Sequence, residues 1–375
     1  ARIKAGDMTE QEIYDLIAVP TTTEMGDFAL PCFRLDKAFR KAPALIAQEI
    51  ADTYPADELV TEVSALNGYV NFRIDRAFWA KETLGRILSE REKYGSSDEG
   101  KGKTVCIDYS SVNIAKPFHI GHLSTTVLGS ALYKLHKFLG YTPVGINHLG
   151  DYGTQFGKLI SAYKRWGSME LLDKGGLRAL NALYVRFHEE AEKDKSLDDE
   201  ARAFFKQIED GDKEAVELFE MFKELTLKEV GKIYDLLDVH FDSWAGESFY
   251  NDKMQPVIDE LNEKGLLKAS DGAMVVNLDE YGMPPCLILK SDGATLYATR
   301  DLAAAIYRKR RYDFYKNLYV VAYQQNLHFK QVFKVLELMG RDWAKESVHV
   351  PFGMVSMEGQ APLSTRKGNV LFLDD

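Results

Sequence analysis

Asp108-Tyr109-Ser110-Ser111-Val112-Asn113-Ile114-Ala115-Lys116-Pro117-Phe118-His119-Ile120-Gly121-His122 is the stretch from which the fold can be read. Before and into it, Val105, Ile107 and Tyr109 alternate as a short strand. After it, Leu128, Ala131, Leu132, Leu135, Phe138 and Leu139 recur at helical spacing, and Gly140 suits the helix end. Pro143 to Asn147 reads as a second strand. Strand, loop, helix and strand make a βαβ unit, which implies a parallel sheet. His119 and His122, three residues apart where the loop enters the helix, share one helix face. A helix N-terminus offers unpaired backbone N–H groups and a partial positive charge, so it attracts phosphate. Imidazoles placed there can donate hydrogen bonds as charge develops on phosphate oxygens. Gly121 leaves room for a base or ribose, Pro117 stiffens the approach, and Lys116 adds a full charge. The loop therefore predicts an enzyme acting on the phosphates of ATP.

A histidine pair at this spacing could also be two surface side chains or half a metal site. Zinc would need a third and usually a fourth ligand, and no nearby cysteine offers one. The strand before and the helix after favour phosphate.

Outward from the loop, four regions emerge. Residues 1–75 form a small mixed α+β unit, with a helix at Ala42–Ala51 and an alternating strand at Tyr69–Ile74. Residues 76–100 read as a connecting helix and a polar turn, Gly95–Gly100. The βαβ unit occupies 101–154. Residues 155–284 are mainly helical, with little strand character before Ala273–Val276, and read as an insertion. The parallel-sheet pattern then resumes in 285–375. Cys286–Lys290 reads as a strand, Asp292-Gly293 as a turn, Thr299–Arg310 as a helix, Leu318–Ala322 as a buried strand and Leu327–Met339 as a helix.

Composition sets the outer limits. A chain of 375 residues suggests two or three domains, since single cores rarely grow beyond roughly 250–300 residues. Apolar residues at 45% and charged residues at 28% are ordinary for a globular protein. No apolar run approaches the ~20 residues needed to span a bilayer, and the opening Ala1-Arg2-Ile3-Lys4 carries no apolar run like that of a signal peptide. Cys32, Cys106 and Cys286 fit neither a disulfide framework nor a paired-cysteine metal site, which points to the reduced cytoplasm. The net charge of -10 argues against a protein built chiefly to hold nucleic acid, without excluding a local basic patch. Much of the acidity lies between Glu189 and Glu229 and reads as a solvated helix face.

A second motif, Ser364-Thr365-Arg366-Lys367-Gly368-Asn369, joins hydroxyls, adjacent cations and a glycine in a polar loop. Such a loop suits closure over a triphosphate, its cations stabilising a pentacovalent transition state and the leaving pyrophosphate. Alone it could be any basic turn.

The two motifs, at opposite ends of a split sheet domain, resemble the HIGH and KMSKS motifs of class I aminoacyl-tRNA synthetases. The loop quoted above, Asn147–Gly157, Leu296–Asp301 and Gln324–His328 narrow the resemblance to arginyl-tRNA synthetases. Gly26-Asp27-Phe28-Ala29 and Asn67–Phe72 resemble that family's N-terminal domain. The resemblance implies a Rossmann-like parallel-sheet catalytic domain split by the insertion, and an N-terminal domain that contacts tRNA. It implies activation of L-arginine with ATP, accompanied by Mg2+, to arginyl-adenylate and pyrophosphate. Transfer to the terminal adenosine of tRNA(Arg) follows. Arginine would be bound by Asp108, Ser111, Asn113, His148, Tyr297, Asp301 and Gln325. Acceptor-rich residues suit a guanidinium with five donors. The alternatives are a helix-start charge for Asp301 and core packing for Tyr297. ATP would lie against His119, Gly121, His122, Gly150, Asp151, Met354, Val355 and Ser364, with Lys116, His119, His122, Arg366 and Lys367 in catalytic roles. A cytoplasmic monomer with no membrane association and no protein-bound metal is expected.

The chain departs from the family's pattern in two places. Pro362-Leu363 stands where the second motif usually begins, and Thr365 replaces its usual catalytic lysine. Family members with this departure commonly carry a lysine just before the first motif, here Lys116. The family's helical anticodon-binding domain is expected beyond Asp375, and its N-terminal domain is expected to start before Ala1, so a fragment of reduced activity is expected. Three competing readings remain. A cysteine-activating synthetase would need a zinc site that the cysteine spacing does not allow. A small nucleotidyltransferase would lack the helical insertion. A non-enzymatic synthetase-like binding protein is disfavoured by the intact histidines and pocket carboxylates.

Overall fold

The computed structural model describes residues 8–55, 57–291, 293–353 and 373. The chain divides into two compact units, residues 1–95 and 96–375.

The first unit contains α1 (Glu10–Tyr14), β1 (Phe28–Pro31), α2 (Asp36–Phe39), α3 (Pro43–Thr53), β2 (Val60–Leu66), β3 (Tyr69–Ile74) and α4 (Arg76–Glu90). Its sheet is antiparallel, in the order β1-β3-β2. The β2–β3 hairpin turns at Asn67-Gly68, both with positive φ, the conformation such a two-residue turn requires. Leu30, Val70 and Phe72 bury one face of the sheet with Ile46, Ala47 and Ile50 of α3. β3 forms where the sequence predicts a strand, but its burial does not alternate: Asn71 is buried between Val70 and Phe72. β2 alternates from Glu62 to Leu66, with Val63 and Ala65 half-buried between exposed residues, while the four-residue β1 is too short to show a period.

The second unit opens with β4 (Thr104–Asp108), α5 (Ile120–Phe138) and β5 (Thr142–Ile146). Four helices follow: α6 (Gln155–Trp166), α7 (Met169–Lys193), α8 (Ser196–Glu209) and α9 (Lys213–Leu236). Then come α10 (Met254–Glu263), β6 (Leu267–Ser270), β7 (Ala273–Val276) and β8 (Cys286–Leu289). The last elements are α11 (Tyr297–Tyr312), β9 (Lys316–Ala322), α12 (Asn326–Leu338) and β10 (Ser347–Phe352).

The main sheet is parallel, in the order β10-β9-β4-β5. β4 therefore sits between two strands, and its residues are buried almost throughout, as expected for a parallel sheet covered on both faces. Val105 and Ile107 join the core built with the helices of the insertion. Cys106, with Ile146 and Phe314, packs on the opposite face. Asp108 follows Cys106 on that second face. Gly140, with φ 81, follows the end of α5.

One expectation is corrected. The apolar run at Cys286–Lys290 suggests a return of the parallel sheet, but β8 pairs antiparallel with β7 in a separate sheet, β6-β7-β8. Leu287 is exposed while Cys286 and Ile288 are buried. This one-sided pattern belongs to an antiparallel strand facing solvent. The two-sided burial of β9, by contrast, marks a true member of the parallel sheet. β6 gives little sequence signal because most of it is exposed.

All three cysteines are free and buried. Burial pushes Cys106 and Cys286 up to about 12 and Cys32 up to about 11, so they remain thiols at neutral pH. No described helix is long and apolar enough to cross a membrane.

Candidate active site

The chain runs from β4 through α5 to β5 on one side of β4, and returns later through α11 to β9 on the other. The carboxyl ends of β4 and β9 thus flank a topological switch point, where open α/β sheets bind ligands. Asp108 ends β4, with Ile146 opposite on one neighbour and Tyr319 on the other.

The loop after β4 is strained and strongly held. Ser110, Ser111 and Ala115 all have positive φ, at 69°, 49° and 63°, a region that non-glycine residues rarely occupy. Hydroxyl groups brace it. Ser110 N–H donates to Thr125 Oγ1 at 3.2 Å, and the Ser110 and Tyr234 hydroxyls are 2.7 Å apart. Thr126 Oγ1 donates to Ser110 Oγ at 2.8 Å, and Ala115 N–H donates to Thr226 Oγ1 at 2.9 Å. Thr226 and Tyr234 lie on α9, so the helical insertion buttresses the loop from about a hundred residues away in sequence.

His119 caps α5. Its Nδ1 accepts from Gly121 N–H at 3.1 Å, and His122 Nδ1 accepts from His119 N–H at 3.3 Å. The rings stack with centroids 3.7 Å apart. In each ring Nδ1 is an acceptor, so the neutral imidazole carries its proton on Nε2. Burial, then the charge of Lys116, lowers the His119 pKa. Burial, followed by His119 and Lys116, holds His122 far below its ordinary value. The helix start therefore presents two uncharged N–H donors with Lys116 nearby.

The residues expected to bind the amino acid come from distant segments. Ser111 Oγ donates to Asp108 Oδ1 at 2.8 Å, and Arg308 Nη2 donates to Asp108 Oδ2 at 2.7 Å. His328 Nε2 lies 2.5 Å from Asp301 Oδ2. Burial works against the charged form of Asp301, but the His328 hydrogen bond and the charges of His328, His148 and Arg308 outweigh it and lower its pKa. His148 Nδ1 lies 3.2 Å from the Ala245 carbonyl, so it donates there and leaves Nε2 as an acceptor. Burial lowers the His148 pKa against the pull of Asp108 and Asp301. Tyr297 is 68% exposed at the first position of α11, which rules out core packing as its role. Gln325 is exposed just after β9.

Gly150 and Asp151 have local structural reasons. A Cβ on Gly150 would lie 2.2 Å from Asn113 Oδ1. Gly150 also exchanges backbone hydrogen bonds with Val112 and Ile114. Its bare backbone thus seats Asn113. The buried Asp151 carboxylate accepts from Lys223 Nζ at 3.0 Å and from Ser248 N and Oγ, each at 2.8 Å. Close by, burial raises Glu247 to about 7, even though Arg300 Nη1 is 3.6 Å away.

Met354, Val355, Ser364, Arg366 and Lys367 lie outside the described residues. On either side of that stretch, β10 ends at Phe352 beside β9, and Leu373 N–H donates to Phe118 O at 3.3 Å.

Arg308, His328 and Tyr319 join this cluster without being selected from the sequence. Arg308 had a signal. Tyr297, Asp301 and Arg308 stand at i, i+4 and i+11 of α11, which falls on one stripe at 3.6 residues per turn. His328 lies in the Gln324–His328 motif, but its bond to Asp301 is visible only in three dimensions.

A switch-point crevice behind a histidine-capped crossover helix is the nucleotide-binding design of a class I tRNA synthetase. The family described as "tRNA synthetases class I (R), catalytic domain" matches residues 83–375, and the "Arginyl tRNA synthetase N terminal domain" matches residues 1–74. The chain belongs to the arginyl-tRNA synthetase family. An arginine–tRNA ligase of Clostridioides difficile is 57% identical over 372 residues, covering 99% of this chain and 66% of that protein. One of Clostridium botulinum (strain Langeland) is 57% identical over 375 residues, covering 100% and 66%. The chain thus spans just under two thirds of these relatives' length. The arginyl-tRNA synthetase of Plasmodium falciparum superimposes with a TM-score of 0.68 at 23% identity, over 92% of this chain and 61% of that one. That of Thermus thermophilus gives 0.67 at 23% identity, over 94% and 64%.

Proposed function

We propose that the chain carries the arginine-activating centre of an arginine–tRNA ligase. ATP lies with its phosphates at the start of α5, and arginine lies across the ends of β4 and β9. The arginine carboxylate attacks the α-phosphorus, the bond to the bridging oxygen breaks, and pyrophosphate leaves. Charge grows on the phosphate oxygens in that step. The Nε2–H groups of His119 and His122 would meet it as fixed donors, and the Lys116 ammonium would meet it as a full charge. This is the role we assign to Lys116 in place of the lysine that Thr365 replaces. Asp301, oriented by His328, would hold a cationic group of arginine, with Asp108, Ser111, Asn113, His148, Tyr297 and Gln325 around it. Arg366, Lys367 and Ser364 would approach the triphosphate, with Met354 and Val355 beside adenine.

Among the described residues no group of three or more His, Cys, Asp or Glu could hold a metal. Magnesium would therefore be ligated mainly by ATP phosphate oxygens and water. In the second half-reaction the terminal adenosine of tRNA(Arg) would take the arginyl group. The N-terminal unit would contact the tRNA, and the protein would work as a cytoplasmic monomer.

The observation supporting this reading most directly is the pair of neutral, stacked histidines at a helix start, together with a half-buried carboxylate–histidine pair. The test is amino-acid-dependent exchange of pyrophosphate into ATP, run on the full-length protein with each amino acid, with and without tRNA. Arginine alone should support exchange. Exchange with another amino acid, and none with arginine, overturns the assignment.

A further inference from the structure

Arg308 lies in the interior of the second unit, 1% exposed, with its guanidinium 2.7 Å from Asp108. Asp108, 7% exposed, shares its other oxygen with Ser111. The guanidinium sits 5.3 Å from the centre of the Tyr319 ring, and Tyr250 interacts with it as well. Tyr319 is itself held by Asn317 Nδ2 at 2.8 Å. Arg308 thus occupies a fixed place. It is also electrostatically within reach of the pocket, since His148 responds to Asp108, Arg308 and Asp301 together.

The site therefore contains an internal arginine beside the pocket meant for a free one. Two carboxylates, Asp108 and Asp301, border it. Free arginine carries a guanidinium, an ammonium and a carboxylate, a net charge of one. Without Arg308 the two carboxylates would better match a ligand with two positive charges and no carboxylate. With Arg308 the pocket is one unit less negative.

We propose that Arg308 is a specificity-determining residue. By neutralising Asp108, it tunes the pocket to a cationic amino acid that retains its carboxylate and disfavours the corresponding decarboxylated amine. The inference rests on the arginine-activating reading above. Arg308 acts through Asp108 and through its field, so it is a positioning residue.

The experiment compares the dissociation constants of arginine and agmatine, which is arginine without its carboxylate. They are measured by calorimetry on the full-length protein, with ATP affinity and melting temperature recorded alongside. Arg308→Gln should shift the arginine-to-agmatine preference toward agmatine by about tenfold or more, with ATP affinity within about twofold. Asp108→Asn should shift it the opposite way, toward arginine. The double variant Asp108→Asn/Arg308→Gln should return it to within about threefold of wild type. If Arg308→Gln does not fold, the shift in Asp108→Asn and its reversal in the double variant decide the matter. A purely structural bolt would lower the melting temperature and leave the preference unmoved in every folded variant, which overturns the inference while arginine binding stands. A wild-type protein with no arginine affinity overturns the proposed function and this inference with it.

Discussion

The imidazoles of His119 and His122 stack 3.7 Å apart, and His122 Nδ1 accepts the backbone N–H of His119. Burial makes a charge on His122 costly, and the nearness of His119 and Lys116 adds to that cost. Both are therefore poised as neutral donors. Replacing either with alanine should lower the rate of adenylate formation about 10²-fold or more, with arginine affinity little changed. Pre-steady-state pyrophosphate formation measures the rate. An unchanged rate in both variants would remove the histidines from the chemistry.

The same pair gives the fold a pH dependence. In the folded state the His122 pKa lies well below its ordinary 6.5. Below that pH the unfolded chain gains a proton that the folded chain refuses, so stability is full above about 6.5 and falls as the pH drops. Urea midpoints at pH 7.5 and 5.5 should therefore differ more for the wild type than for His122→Gln. Equal differences would contradict a buried neutral His122.

Lys116 is expected to take over for the lysine that Thr365 replaces. Lys116→Ala should cut adenylate formation by about 10²–10³-fold, and Lys116→Arg should retain part of the rate. A loss of only a few-fold in Lys116→Ala would return Lys116 to a flanking charge.

Gly150→Ala tests the seat of Asn113. The new Cβ would lie 2.2 Å from Asn113 Oδ1, so the loop must move. Because a displacement of about 1 Å in a site can cost on the order of 10²-fold, kcat/KM for arginine should fall by that order. The KM for ATP should change far less. An unaffected arginine KM would show that Asn113 is not a pocket residue.

Asp151→Asn separates support from ligand binding. Its carboxylate holds Lys223 and Ser248, so the variant should lose about 1–3 kcal/mol of stability. The ATP KM should stay within about threefold. A large rise in that KM with unchanged stability would place Asp151 against ATP instead.

The βαβ unit, its helix end at Gly140 and the histidine pair at the helix start are all legible in the chain. Each depends on neighbours a few residues apart: a period of two or 3.6, or a cap. The pairing of β8 is not legible in the sequence because a short apolar run does not say which strand it will pair with. Asp301 could be chosen from its motif, but its bond to His328, 27 residues away, could not.

By itself, then, the sequence determined a parallel-sheet βαβ unit and a histidine pair at its helix start, because local pattern carries that information. Tertiary structure alone decided that Asp108 faces Arg308 across 200 residues. It also decided that Gly150 makes room for Asn113 and that Asp151 ties the insertion to the site. Those pairings follow from which strands lie side by side and how far each helix reaches over them. No local period records that.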